Sequence, residues 1–175
     1  MKIKTRQDVL DYLSRINYLK KNYRIAVEAL IFTPDGRLLL EKRGPEARDE
    51  IGKLEGVGGG LGEHADLLEK LRSEVYEELK IEASGIIIDR FLEIRQVQFD
   101  DRELGWQEWM VVSYLCRILR GDPQIGKEGK IESLHYLTLD ELYQVPKEQL
   151  SNSTIIARTI YRSLYGNIPY YEVRS

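Results

Sequence analysis

Apolar residues that recur every three or four positions predict two helices in the first half of this chain. The first covers residues 5–21, where Thr5 can cap the start of the helix. The second covers residues 66–80, and its apolar face consists of Leu67, Leu68, Leu71, Val75 and Leu79. Each helix therefore has one side suited to burial. For the N-terminal helix, that side covers either the core of the chain or a partner chain, and packing within the chain is the default expectation.

Short apolar runs separated by turn residues predict the strands. Residues 25–32 and 37–43 flank the sequence Thr33-Pro34-Asp35-Gly36, which is typical of a hairpin turn. A loop is predicted at 44–56, and a glycine turn begins at Val57. The later predictions are one or two strands in 86–99, a loop at 100–106, strands at 108–119 and 131–137, a helix that Thr138 caps and Pro146 ends, and a last helix at 153–165. This order predicts a mixed α/β (α+β) fold in a single domain, residues 1–175.

The composition narrows the classes of function. The 175 residues are 42% hydrophobic and 31% charged, with a net charge of −3 and no block of basic residues, which argues against a protein that coats nucleic acid. No apolar run approaches the roughly 20 residues that cross a bilayer, and charged residues interrupt the N-terminal stretch where a signal peptide would be apolar. The single cysteine, Cys116, lies in an apolar run and is expected to be a core residue. These features predict a cytoplasmic protein.

Three glutamates on the second predicted helix are the main candidate functional group. Glu74, Glu77 and Glu78 are spaced by three and four positions, which places them on one helix face. Glycines at 58–60 precede the helix, and a glycine turn exposes backbone carbonyls. Such oxygen ligands suit Mg²⁺ or Mn²⁺. The alternative is a solvated acidic face on which Lys70 pairs with Glu74, since neighbouring like charges cost only about 0.2–0.5 kcal/mol per pair.

Residues 59–81 resemble the Nudix box, the signature of hydrolases that cleave nucleoside diphosphates linked to another moiety. The family pattern reads Gly, five residues, Glu, seven residues, Arg-Glu-apolar, one residue, Glu-Glu, one residue, Gly-apolar. The matching positions are Gly59, Glu74, Val75, Glu77, Glu78 and Ile81. The resemblance implies a Nudix fold, a mixed β-sheet sandwiched between α-helices. It also implies that Glu74, Glu77 and Glu78 are catalytic, metal-binding carboxylates and that the carbonyl of Gly59 is a further metal ligand.

Three positions depart from that pattern, because Ala65 replaces the first Glu, Ser73 the Arg, and Lys80 the late Gly. The missing Glu and Arg would form a charged pair that supports the helix. Losing one member of a buried pair costs about 3–5 kcal/mol, whereas replacing both can be nearly neutral. The joint loss therefore indicates an altered scaffold that retains its metal-binding carboxylates but gives Glu74 less support. Arg72 is an imperfect substitute, since it lies about 100° around the helix.

Basic and aromatic residues outside the box are candidates for substrate binding. Arg43 ends the second predicted strand, and a guanidinium can hold a phosphate through two contacts. Its alternative role is an ordinary surface charge, which is favoured for Lys42, Arg48 and Lys53. Trp106 and Trp109 can stack on a base or sugar, although tryptophan more often packs in a core or a dimer interface. The sequence does not identify a general base, for which the candidates are Glu103, Glu108, Glu128 and Glu132.

The resemblance implies a metal-dependent hydrolase with Mg²⁺ or Mn²⁺ as cofactor. Its substrate would be a small-molecule nucleotide, such as ADP-ribose, a nucleotide sugar, a dinucleotide or a nucleoside triphosphate, cleaved at the pyrophosphate linkage. The three departures from the pattern motivate an alternative, a non-catalytic nucleotide-binding or regulatory protein on the same fold. An isomerase on this scaffold is disfavoured because Cys116 lacks the surroundings of a reactive cysteine. Neither nucleic acid nor membrane is an expected partner, and a homodimer is compatible with the N-terminal helix.

Overall fold

Seven strands form one mixed sheet in the computed structural model, which describes residues 3–15 and 24–170. The strands are β1 Arg24–Phe32, β2 Leu38–Arg43, β3 Leu54–Glu55, β4 Val57–Gly60, β5 Ile86–Asp101, β6 Gly105–Ile118 and β7 Ile131–Leu137. Four α-helices lie in the same residues: α1 Arg6–Arg15, α2 Leu67–Leu79, α3 Leu139–Gln144 and α4 Asn152–Tyr165. No helix in 3–15 or 24–170 combines the length and apolar character that crossing a bilayer requires.

The central strand β1 has a different neighbour on each edge. Strand β6 runs parallel to it along its whole length and pairs with β5, so the order through the sheet is β3-β2-β1-β6-β5. The other edge of β1 is divided between two antiparallel partners. Strand β2 pairs only with Ile31 and Phe32, and β4 pairs with the stretch from Ala26 to Ala29. Because β2 leaves β1 after this short contact, the sheet splits and a cleft opens beside β4.

Side chains on β1 alternate between two buried layers. Val27, Ala29 and Ile31 point into a cluster that also contains the apolar faces of α1 and α2. Leu30 and Phe32 point into a second cluster, which α3 and α4 cover. This alternation is the period of two expected for a strand buried on both faces. Helices therefore cover both faces of the sheet, and the prediction of a mixed sheet sandwiched between helices is confirmed.

The N-terminal helix α1 uses its apolar side within the chain. Val9 and Leu13 are buried in the cluster beneath α2. The segment before the helix is also fixed, since Tyr114 donates a hydrogen bond to the carbonyl of Ile3 at 2.7 Å. The prediction of intramolecular packing is confirmed for these residues. Residues 16–21 of the predicted helix lie outside the described part of the chain.

Three local predictions were wrong. The loop predicted at 44–56 contains the short strand β3, which pairs with the end of β2. The glycine turn predicted from Val57 is strand β4, which fits against β1 because its glycines carry no side chain. A Cβ at Gly58, for example, would lie 3.0 Å from the Cα of Glu28 on β1. The loop predicted at 100–106 is mostly strand, because β5 and β6 pair continuously up to a tight turn. The carboxylate of Asp101 closes that turn by accepting hydrogen bonds from two backbone amides.

Candidate functional site

A cleft of about 330 Å³ lies where β2 separates from β1. One wall carries the glycines of β4 and the acidic face of α2, and the opposite wall carries the end of β2 and the loop before β7. Lining residues that bear on its chemistry are Glu41, Glu55, Gly59, Glu74, Glu78 and Lys127. These residues bring four carboxylates from three different elements next to the ammonium group of Lys127, and further charged side chains, such as those of Glu28, Asp49 and Lys130, line the cleft around them.

Helix α2 presents the three glutamates that the box pattern identified. Its start is fixed by Asp66, whose side chain accepts hydrogen bonds from two backbone amides of the first turn. Its apolar side is buried against β1 and β4, which turns the acidic side toward the cleft. Glu74 and Glu78 are buried, with 4% and 9% of their surface exposed, whereas Glu77 is half-exposed. The sequence prediction that the three share a face is confirmed by their common contact.

That common contact is the ammonium of Lys127, which sequence reasoning missed. Its Nζ lies 2.7 Å from Oε2 of Glu74, 3.1 Å from Oε2 of Glu77 and 3.1 Å from Oε1 of Glu78. An ammonium group has three donors and no acceptor, so these three oxygens satisfy it fully. The neighbouring carboxylates outweigh the cost of burial and raise the pKa of Lys127, which keeps it charged.

The other oxygen of each carboxylate has a separate partner. Lys70 Nζ lies 2.5 Å from Oε1 of Glu74, Ser73 Oγ donates to Oε1 of Glu77 at 2.8 Å, and the amide of Gly58 donates to Oε2 of Glu78 at 3.0 Å. The expected pairing of Lys70 with Glu74 is confirmed, but Glu74 and Glu78 are buried, so this acidic face is not the solvated face of the alternative. Lys70 thus gives Glu74 the support expected from the missing Arg. Arg72 does not take this role, since its guanidinium donates to the backbone carbonyl of Leu68.

Gly59 lies directly against Glu74. A Cβ at this position would be 2.6 Å from Cδ of Glu74 and closer still to Oε1. Since real Cβ atoms do not approach other heavy atoms that closely, only glycine allows this side chain to lie where it does. The structure therefore brings together the four residues predicted from the box, although the glycine belongs to a strand and not to a turn.

Two further glutamates face the cleft from β2 and β3, and the sequence analysis missed both. Glu41 and Glu55 are directly paired across these strands. Glu41 is 3% exposed, and its Oε1 has no hydrogen-bond partner among the described residues. Burial, followed by repulsion from Glu78 and Glu55, raises the pKa of Glu41 well above its usual value. Burial likewise raises the pKa of Glu55 to about 7, against the opposing effect of Arg43.

Arg43 and Trp106, the predicted substrate contacts, differ in where the structure places them. Arg43 lines the cleft, but its guanidinium forms ion pairs with Asp49 and Glu55. Trp106 is 67% exposed at the start of β6 and is not among the residues that line the cleft. Trp109, three residues further along the strand, does line it, and its ring lies 5.9 Å from that of Phe99.

The predicted general bases also lie away from the cleft. None of Glu103, Glu108, Glu128 and Glu132, all within the described residues, belongs to its lining. Glu103 pairs with Arg48, and Glu132 with Lys42. The carboxylates that reach the cleft from outside α2 include those of Glu41 and Glu55, together with those of Glu28, Asp49, Glu50 and Asp101.

As they stand, no three acidic, histidine or cysteine side chains in the described chain surround a common point closely enough to hold a metal ion. The three α2 carboxylates instead converge on a cation that the protein itself supplies. The donor set nevertheless fits a hard divalent cation. It consists of oxygens, it carries excess negative charge, and a further buried oxygen of Glu41 has no partner within residues 3–15 and 24–170.

Comparison with known proteins agrees with this geometry. A sequence model described as the NUDIX domain matches residues 22–159. A MutT NUDIX hydrolase from Burkholderia pseudomallei is 29% identical, with 79% of this chain and 98% of that chain covered and a TM-score of 0.60. The MutT protein from Methanosarcina mazei Go1 is 19% identical over 84% of this chain and 99% of that one, with a TM-score of 0.64. The NUDIX domain of Shewanella oneidensis NrtR, solved with ADP ribose, is 19% identical, with 89% of this chain and 97% of that chain covered and a TM-score of 0.60. No curated protein matches the sequence significantly.

Proposed function

Because the chain belongs to the Nudix family, we propose that it is a pyrophosphohydrolase of the Nudix type that cleaves a nucleoside diphosphate derivative with the help of Mg²⁺ or Mn²⁺. The observation that carries this proposal is the convergence of Glu74, Glu77 and Glu78 on one cation position at the edge of the cleft. Three carboxylates from one helix face, directed at one point, match the oxygen ligands that Mg²⁺ takes beside substrate phosphates.

The proposed metal-holding residues are Glu74, Glu77 and Glu78 of α2, together with Gly59. A bound divalent cation would neutralise charge on the phosphates and lower the pKa of a coordinated water. The residues of this chain have separate tasks. Gly59 leaves room for Glu74, the amide of Gly58 orients Glu78, and Ser73 orients Glu77. Glu41 adds a buried carboxylate oxygen on the opposite wall.

The cleft favours a substrate with an apolar or aromatic part next to its phosphates. Its volume falls in the range of about 300–1,000 Å³ that is usual for small-molecule sites. Beyond the acidic centre, the wall consists of Val97, Phe99, Trp109 and Val111. Aromatic side chains of this kind can stack on any nucleobase. We therefore propose a nucleotide substrate such as ADP-ribose, a nucleotide sugar, a dinucleotide or a nucleoside triphosphate, and the NrtR domain solved with ADP ribose supports this class.

The predicted contacts of Arg43 and Trp106 with substrate stay predictions. Arg43 is positioned to meet a phosphate if it exchanges one of its two carboxylate partners. Trp106 would have to act from the rim, since it lies outside the cleft lining.

The cytoplasm is proposed as the location because the one cysteine, Cys116, is buried and unpaired, which suits a reducing compartment.

One observation favours a second candidate function, a nucleotide-binding protein without catalysis. The ammonium of Lys127 holds the oxygens that a metal ion would need. If it stayed there in the presence of metal, the chain would bind nucleotides without hydrolysing them. The two functions differ in a single measurement, namely whether product forms.

The test is a screen of nucleoside triphosphates, dinucleotides, ADP-ribose and nucleotide sugars with Mg²⁺ or Mn²⁺, in which phosphate-containing products are quantified. We expect turnover that chelation abolishes. Glu77→Gln should remove it while the melting temperature stays close to that of the wild type, because Glu77 is half-exposed. Glu69→Gln is the matched control on an exposed position of the same helix and should stay active. Metal-stimulated turnover that survives Glu77→Gln would contradict the proposed site, and nucleotide binding without product would favour the second candidate.

A further inference from the structure

Half of the contacts to the carboxylates of Glu74, Glu77 and Glu78 come from one residue. Each carboxylate has two oxygens, and each of the six oxygens has a partner. Lys127 takes one oxygen of each carboxylate, and Lys70, Ser73 and the Gly58 amide take the others. The oxygens held by Lys127 are the ones that face a common point. If Lys127 left, one oxygen of every carboxylate would become available there at once.

The backbone around Lys127 is fixed to neighbouring elements on both sides. Before it, the amide of Gly126 donates to the carbonyl of Glu78 at 2.8 Å. A Cβ at Gly126 would lie 2.9 Å from the carbonyl carbon of Glu77, so glycine is needed for this loop to lie so close to the end of α2. After it, the amide of Ile131, at the start of β7, donates to the carbonyl of Lys127 at 3.0 Å. These contacts hold the main chain in place and leave the four-carbon side chain as the movable part.

We propose that Lys127 is an intramolecular counter-ion that competes with the divalent cation for Glu74, Glu77 and Glu78, and that metal binding releases its side chain. This inference rests on the proposed function, because it assumes that the three glutamates are metal ligands. An ammonium and a metal ion cannot share the same three converging oxygens, since both are cations and would lie only a few ångströms apart. The side chain can rotate away because 26% of its surface is exposed, and its backbone need not move.

The competition has a thermodynamic consequence for the metal. The binding-competent state is the one in which Lys127 has swung away, and the apparent affinity is reduced by the fraction of molecules in that state. Lys127 is therefore a positioning residue in the metal-free protein, where it holds the carboxylates together against their mutual repulsion. Removing its charge should strengthen metal binding even without substrate. A lysine that merely stabilises the fold would not have this effect.

The first experiment measures Mn²⁺ binding to the full-length, metal-free protein by titration calorimetry, with no nucleotide present. We expect Lys127→Gln to lower the dissociation constant at least about tenfold, which corresponds to a competent fraction of one tenth or less in the wild type. Lys130→Gln is the matched control. It removes an equal charge three residues away on the same loop, from an exposed side chain that also lines the cleft, and should change the constant less than threefold.

The outcomes separate the inference from the proposed function. Equal affinity of wild type and Lys127→Gln, or equal tightening in both variants, would overturn the competition while leaving the metal site intact. Failure of all three proteins to bind Mn²⁺ would overturn the metal site and the inference with it. Circular dichroism establishes that each variant is folded before the titration.

A second measurement uses the wild type alone and so does not depend on how the variants fold. The protein is labelled briefly with an amine-acetylating reagent, with and without Mn²⁺, and acetylation of each lysine is quantified by peptide mass spectrometry. We expect Mn²⁺ to increase the labelling of Lys127 several-fold relative to Lys130, because release exposes the amine. Unchanged or reduced labelling of Lys127 at a Mn²⁺ concentration that saturates the protein would refute the release.

Discussion

Gly59→Ala tests whether the close approach of β4 to α2 matters for function or only for packing. The new Cβ would lie 2.6 Å from Cδ of Glu74, whereas ordinary contacts of this kind begin near 3.4 Å. The carboxylate must therefore shift by about 1 Å. Since the obstacle is the end of a flexible side chain, the fold can accommodate the methyl group by moving Glu74 alone. The substitution thus displaces one proposed ligand while leaving the rest of the cleft in place.

The expected effects on stability and on activity differ in size. Moving Glu74 weakens its charged contact with Lys70, and such contacts contribute about 1.5–3 kcal/mol. Against this, Ala in place of Gly lowers the entropy of the unfolded chain and returns about 0.4–1 kcal/mol. The net loss of about 0.5–2.6 kcal/mol lowers the melting temperature by about 1–10 °C in a chain of this size. A displacement of 1 Å in a catalytic group, by contrast, can reduce the rate about a hundredfold.

The assay compares kcat/KM on the best substrate of the metal-supplemented screen with the melting temperature of the same preparation. Gly62→Ala is the matched control, because Gly62 has a φ of 57° with open space around it. Forcing alanine into this left-handed conformation costs about 1–2 kcal/mol, a similar stability loss, without touching Glu74. We expect a loss of about a hundredfold in kcat/KM for Gly59→Ala and less than threefold for Gly62→Ala. Equal activities in the two variants would refute the argument that Gly59 positions Glu74.

Two further predictions concern the parts of the fold that hold the cleft in place. Arg95 is 5% exposed and forms ion pairs with Glu28, at 2.5 Å, and with the buried Glu93. Arg95→Met should therefore lower the free energy of unfolding, measured in urea, by about 3–5 kcal/mol. Arg117→Met, which breaks an ion pair whose arginine is 41% exposed, should lower it by at most about 1 kcal/mol. A similar loss in both variants would contradict the assigned burial. Leu13→Ala should lower the free energy of unfolding by about 2–4 kcal/mol, because Leu13 is 2% exposed. Leu10→Ala, at a 39% exposed position of the same helix, should change it by less than about 0.5 kcal/mol. A larger loss for Leu10→Ala than for Leu13→Ala would show that α1 buries its other face, for example against a partner chain.

Features that depend on neighbouring residues along the chain could be predicted from the sequence. The helix predicted at 66–80 is found at Leu67–Leu79, and the strand predicted at 131–137 has those bounds. Thr138 caps α3 together with Glu141, as the spacing of a capping box requires. The three glutamates share a face because helical geometry alone fixes their relation. In each case the residues that form the sequence pattern and the structure that the pattern predicts lie close together along the chain.

Features that depend on distant pairs could not be predicted in this way. Lys127 contacts Glu74 across 53 residues, and the sequence marks it only by a glycine on either side of the Lys-Glu dipeptide. Glu41 lies in an apolar strand where its neighbours gave no indication that β3 and α2 would approach it. The three glycines before α2 are also compatible with both a turn and a strand, because glycine adopts either conformation. Their conformation is decided by the pairing of β4 with β1, a tertiary contact.

The three departures from the family pattern have local physical accounts that bear on the metal site unequally. Ala65 is exposed just before α2, and its carbonyl accepts a hydrogen bond from the amide of Arg6, a backbone contact that does not depend on the side chain. Lys80 has a φ of 58° at the end of α2, a left-handed conformation that glycine adopts freely and that costs a lysine about 1–2 kcal/mol. Neither residue touches a carboxylate of the site. Ser73 does, because its hydroxyl orients Glu77, while the two lysines orient Glu74. The charge that arginine contributes in the family pattern is thus supplied from two other positions, and one of them, Lys127, is the group that we propose a metal ion displaces.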